Sequence, residues 1–106
     1  MDDQTLPEQD RLILDSLERF LDRDVRPHVR EFEDPDVYPQ AMVDAMAEMG
    51  LFGVTIPAEY GGLGLSCLTY ARITETVSRT WMSLSGTFSS HLIMAETIRR
   101  FGTEAQ

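Results

Sequence analysis

The stretch Thr55-Ile56-Pro57-Ala58-Glu59-Tyr60-Gly61-Gly62-Leu63-Gly64-Leu65-Ser66 constrains this chain more than any other. Three glycines within four residues permit positive φ and let a second backbone approach closely, which residues bearing a Cβ resist. Helical periodicity lies on both sides, so the stretch reads as a tight crossing between two helical hairpins. It does not read as a phosphate loop, because it lacks the strand-loop-helix frame, the full GxGxxG spacing and a following Lys.

Before the crossing, Leu14, Leu17, Leu21 and Val25 recur at spacings of three and four, with Ile13 and Phe20 widening the stripe. This predicts a long amphipathic helix from about residue 8 to residue 32, kinked by Pro27, which removes a backbone donor and crowds the carbonyl of Arg23. Glu33-Asp34-Pro35-Asp36 breaks the pattern, and Pro39 suits the first position of a second helix. Met42, Met46 and Met49 share one face of that helix, and Gly50 is placed to end it in the left-handed conformation. Leu51 to Ile56 reads as a short extended segment burying Phe52, Val54 and Ile56.

After the crossing, Ser66 is a good N-cap for a third helix carrying Tyr70, Ile73 and Val77 on one face. A fourth helix starts at Ser83 or Ser85 and closes with Arg99, Arg100 and Gly102, the last expected as a left-handed cap. Leu84, Phe88, Leu92, Ala95 and Ile98 form its core stripe. Gly86, Ser89, Ser90, Ile93 and Thr97 form a second stripe of mostly small or hydroxyl side chains. A helix that is apolar or small around most of its circumference belongs inside an assembly. The second stripe suits either close packing against another helix or the wall of a ligand site. Thr103-Glu104-Ala105-Gln106 has the form of a capping box, which announces a further helix and implies that the polypeptide is part of something longer.

Charge narrows the choice of partner. Nine arginines, no lysine and eighteen acids give -9, which argues against nucleic acid and anionic membrane surfaces. Residues 1–50 hold fourteen acids against five arginines, whereas residues 51–106 hold four of each, so the second half is the part suited to burial. Cys67, the single cysteine, cannot close an internal disulfide, and His28 and His91 lack metal-ligand spacing. His28 and Glu75 read as surface side chains. The acidic opening Met-Asp-Asp-Gln has no secretory character and no apolar run is long enough to span a bilayer, which fits a soluble, cytoplasmic protein.

Taken together, Phe20 with Val25 and Pro27, Leu51-Phe52-Gly53-Val54, Pro57-Ala58-Glu59-Tyr60-Gly61-Gly62-Leu63-Gly64, Leu68-Thr69-Tyr70, Glu75 and Phe101-Gly102-Thr103-Glu104-Ala105-Gln106 resemble the N-terminal helical domain of acyl-CoA dehydrogenases. The resemblance implies an all-α, four-helix, bundle-like domain with the glycine-rich crossing between helices 2 and 3. It also implies that residues 1–106 are that domain, incomplete at its C-terminus, with the central β domain and C-terminal helical domain of the family absent. The family's members are homo-oligomeric FAD enzymes. A carboxylate base takes the α proton of an acyl-CoA thioester while the β hydrogen leaves as hydride to the flavin, which passes electrons to an acceptor.

By position in the family, Gly86, Ser89, Ser90 and Ile93 become candidates for the acyl-pocket wall. Their small size leaves room for a branched, longer or cyclic acyl group. The resemblance places the base and the main flavin contacts outside this sequence, so no catalytic, FAD-binding or metal residue is expected within it. The 106-residue chain alone is expected to be inactive and to retain no FAD. The alternative is a non-catalytic helical interaction module from a split or decayed gene.

Overall fold

The computed structural model describes residues 6–106, so the acidic opening of the chain lies outside the described residues. The sequence builds α1 (Glu8–Phe20), α2 (Val29–Glu33), α3 (Gln40–Glu48) and α4 (Cys67–Phe101), and among the described residues there is no strand. The body is 20 Å thick along its short axis, the depth of two packed helices.

The expected first helix is one rod with a worked middle. Between α1 and α2 run a π turn, Leu21–Val25, and a 3-10 turn, Arg26–His28. Pro27 has no N–H to give to the preceding turn, and the widened and then tightened helix absorbs that loss without stopping the chain. The apolar stripe stays in register through the distortion: Leu14, Leu17, Phe20, Leu21 and Val25 are all buried.

α3 starts one residue later than expected, with the Pro39 carbonyl accepting from the Val43 N–H at 3.1 Å. It buries Met42 and Met46, and Met49 packs at the core's margin. Gly50 then takes φ +87, the left-handed turn that ends the helix.

Leu51 to Ile56 is not extended. It forms a 3-10 turn, Leu51–Gly53, followed by a further turn, with Gly53 N–H donating to Gly50 O at 3.0 Å and Ile56 N–H to Gly53 O at 3.2 Å. An apolar run becomes a strand only where another strand pairs with it, and the described residues offer none. Leu51 and Val54 fill the core, while Phe52 and Ile56 are only partly covered.

The glycine-rich stretch is laced back onto these turns. Leu63 N–H donates to Gly53 O at 2.9 Å, Gly64 N–H to Ile56 O at 2.8 Å and Leu65 N–H to Val54 O at 2.8 Å. Gly62 sits so close to the returning chain that a Cβ built on it would lie 2.1 Å from the Ile56 carbonyl oxygen. Ser66 then caps α4, its Oγ accepting from Thr69 N–H at 3.2 Å.

The expected third and fourth helices form a single helical run broken at Trp81, whose φ −159 and ψ 102 are extended. The break comes before Ser83 and Ser85. Its cause is tertiary: Trp81 is buried, and its indole N–H donates to Glu33 Oε1 at 3.3 Å. Ser78 and Ser85 hydroxyls meet at 3.0 Å across the break.

α1 packs on α4, and Leu14, Leu17, Ile73, Val77, Leu84 and Phe88 all belong to the one buried core. Burying one such side chain stabilises by about 1.5–3 kcal/mol relative to leaving it exposed. A buried polar link joins the two N-termini: Thr69 Oγ1 donates to Asp10 Oδ2 at 2.6 Å.

Candidate functional site

The second half of α4 has two unlike faces. Leu84, Phe88 and Leu92 are buried, as their spacing requires. Ile98, expected to continue that stripe, is 40% exposed, because this end of α4 borders an open cleft. On the outer face, Met82 is 73% exposed, Ile93 71% and Phe101 84%, an unusual display of large apolar side chains on one helix.

The four candidate wall residues lie on this half of α4 but do not enclose a single cavity. Gly86 is exposed, and a Cβ built on it would meet nothing within 4 Å, so packing within the chain does not demand glycine there. Ser90 is exposed. Ser89 is half-buried and accepts a hydrogen bond from Tyr70 Oη at 3.0 Å. Ile93 lines a shallow groove of about 420 Å³ together with Thr55, Cys67, Tyr70, Thr97 and Phe101.

At the C-terminal end of that groove Glu96 ties the start of the crossing to α4. Its carboxylate accepts from Thr55 Oγ1 at 3.1 Å, from Arg99 Nε at 2.9 Å and from Arg100 Nε at 3.3 Å. The Arg99 hydrogen bond is the main reason its pKa falls to about 2, with the Thr55 and Arg100 bonds adding to it. Glu96 is therefore a fixed anion that anchors the crossing to α4, and its protons are too weakly held for acid-base work near neutrality.

A larger cleft, of about 670 Å³, lies on the other side of α4. Phe52 and His91 form one wall, their rings edge to face at 5.2 Å. Tyr60 reaches across to Glu104, its hydroxyl 3.1 Å from each carboxylate oxygen, and this raises the Tyr60 pKa. The end of the chain folds over the cleft as a reciprocal capping box, with Thr103 N–H donating to Gln106 Oε1 at 2.9 Å and Gln106 N–H to Thr103 Oγ1 at 3.3 Å. Gly102 is not left-handed: its φ is −85, and glycine is needed because a Cβ there would come within 2.6 Å of the Ile98 carbonyl oxygen.

Other sequence candidates remain surface features. His28 Nδ1 sits 3.0 Å from Glu31 Oε1, and Glu75 flanks Arg72 at 4.0 Å. Among the described residues no group of three or more potential ligands could hold a metal ion. Nor is any helix among them long and apolar enough to cross a membrane. Two polar contacts of otherwise core-facing residues matter more. Tyr70 joins the halves of α4 through Ser89, and Asp10 pins α1 to α4. Asp10 was findable, since it stands four residues before Leu14 in the buried register. Tyr70 was assigned only to the core face.

Comparison with known proteins agrees with this geometry. The family model for the acyl-CoA dehydrogenase N-terminal domain matches residues 7–106. The chain is 39% identical over 102 residues to (2S)-methylsuccinyl-CoA dehydrogenase of Cereibacter sphaeroides, covering 95% of this chain and 19% of that protein. It is 29% identical over 102 residues to the human mitochondrial short-chain specific acyl-CoA dehydrogenase, covering 95% of this chain and 25% of that one. In a solved structure described as the electron transferring flavoprotein of Acidaminococcus fermentans, one chain superposes with a TM-score of 0.87 at 32% identity. That match covers 99% of this chain and 28% of the other. The chain thus spans about a fifth to a quarter of the length of these relatives.

Proposed function

The chain belongs to the acyl-CoA dehydrogenase family, whose N-terminal domain it matches, and from that premise we propose that residues 1–106 serve as the N-terminal helical part of a flavin-dependent acyl-CoA dehydrogenase. The reaction is α,β-dehydrogenation of an acyl-CoA thioester to the 2-enoyl-CoA. The observation that carries this reading is the outer face of α4, where Ile93 and Phe101 stand exposed beside small residues, opposite the buried stripe of Leu84, Phe88 and Leu92. Gly86, Ser89, Ser90 and Ile93 supply one wall of the acyl pocket, and the exposed apolar side chains beside them supply domain-interface surface.

FAD, when bound, would supply the oxidising power for this reaction. The residues described here do not fit it by themselves. Arg99 in the larger cleft is already engaged by Glu96, and the Glu104 carboxylate stands nearby, a poor setting for a dinucleotide's phosphates. In this reading flavin and catalytic base are held by other parts of the enzyme. What residues 1–106 contribute is shape and exclusion of water along the acyl chain. The enzyme is a cytoplasmic homo-oligomer that hands electrons to a flavoprotein acceptor.

The test uses two preparations. The purified 106-residue chain is expected to emerge colourless from desalting and to leave added flavin oxidised when acyl-CoA is supplied. The full-length enzyme is expected to lose kcat/KM for long acyl-CoAs selectively when Ile93 is replaced by Trp. A 106-residue product that stays yellow and is bleached by acyl-CoA would overturn the proposal.

A further inference from the structure

Tyr70 stands where the outer face of α4 divides. Its side chain lines the groove that holds Ile93, and its hydroxyl donates to Ser89 at 3.0 Å, one turn before Ile93 on the same helix. Three residues before Ser89 lies Gly86, whose missing Cβ would face open space. Along the helix the order is therefore open ground at Gly86, a bridge at Ser89, and a groove at Ile93. Tyr70 is held there from both sides. Its backbone N–H donates to Ser66 O at 3.0 Å in the capped first turn, and its ring packs at the margin of the core.

We propose that the Tyr70–Ser89 hydrogen bond partitions the acyl wall and sets the length of acyl group that the enzyme accepts. The proposal rests on the reading that this face of α4 is the acyl wall. With the bridge closed, an acyl chain lying along Ile93 meets the phenol and stops. With it open, the chain continues over Gly86, where no side chain intrudes. Tyr70 is the larger partner and is fixed by its own helix turn. Ser89 is the smaller partner, whose hydroxyl keeps the ring from swinging away. Such a partition discriminates by size, and in an apolar pocket one methylene of misfit is worth roughly tenfold or more in kcat/KM.

The experiment compares the full-length enzyme with its Tyr70→Phe, Ser89→Ala, double and Ile93→Trp variants on straight-chain acyl-CoAs of increasing length. The dissociation constants of the matching S-alkyl-CoA thioethers, which do not react, are measured alongside. Tyr70→Phe and Ser89→Ala are each expected to raise the long-to-short ratio of kcat/KM by about tenfold. The thioether ratio should move in parallel, and the double variant should go no further than either single one, because both break the same bond. If Ile93→Trp alters the length profile while Tyr70→Phe and Ser89→Ala do not, the partition is wrong and the acyl wall stands. If no variant alters it, both fail. Should Tyr70→Phe not fold, the same ratio measured on Ser89→Ala decides the matter alone.

Discussion

Replacing Gly62 with Ala tests the crossing at its tightest point. The added Cβ would lie 2.1 Å from Ile56 O, 2.6 Å from Ile56 C and 2.6 Å from Ile56 Cβ. Two of these are backbone atoms, so no rotamer change relieves the clash and the loop itself must move. Movement there strains the Gly64-to-Ile56 and Leu63-to-Gly53 hydrogen bonds, now 2.8 and 2.9 Å. Overpacking costs about 1–3 kcal/mol, and each lost hydrogen bond about 1 kcal/mol, so the expected loss is about 3–5 kcal/mol. Gly61→Ala is the control. Gly61 has φ +88 but no atom within 4 Å of a built Cβ, so it carries only the left-handed penalty of about 1–2 kcal/mol. A domain of about 100 residues has about 5–15 kcal/mol in hand, so both variants should still be measurable by urea unfolding followed by far-UV circular dichroism at 25 °C. Equal losses in the two variants, or a larger one at Gly61, would refute the argument that close backbone approach fixes residue 62.

Thr69→Val removes the hydroxyl that Asp10 receives at 2.6 Å and leaves a buried carboxylate short of a partner. A loss of about 2–3 kcal/mol is expected in the same assay, whereas Ser66→Ala, which removes the helix cap and a 3.2 Å bond to Thr69 Oγ1 but leaves the Asp10 contact in place, should cost about 1 kcal/mol. Glu96 makes the protein acid-sensitive in a defined window. Its folded pKa of about 2 lies below the ordinary 4.5, so its contribution is fully present above about pH 4.5 and is lost as pH falls toward about 2. Glu96→Gln should lower stability at pH 7 and flatten the pH dependence across that window, as followed by urea midpoints.

The elements legible in the sequence were those governed by neighbours along the chain. Leu14, Leu17, Leu21 and Val25 are buried because helical spacing puts them on one side. Gly50 and Ser66 act as caps, and Thr103 and Gln106 make their reciprocal bonds, because such contacts are a matter of a few adjacent residues. Elements decided by distant partners were not legible. The run from Leu51 to Ile56 has strand composition, but with no strand to pair with it coils into turns. The break at Trp81 has no glycine or proline to signal it and depends on an indole reaching Glu33, 48 positions away. The candidate site divides in the same way. The small-residue stripe of Gly86, Ser89, Ser90 and Ile93 is periodic and could be read directly. That Ser89 faces Tyr70, while Ile93 opens onto a groove, follows from how the two halves of α4 meet.

The central claim is that the outer face of α4 meets the acyl chain. It is tested most directly by photolabelling the full-length enzyme with an acyl-CoA bearing a diazirine at its far end, followed by peptide mass spectrometry. Adducts between residues 86 and 93 are expected. Adducts confined to the Phe52, Tyr60 and His91 cleft, or absent from residues 1–106 altogether, would contradict it.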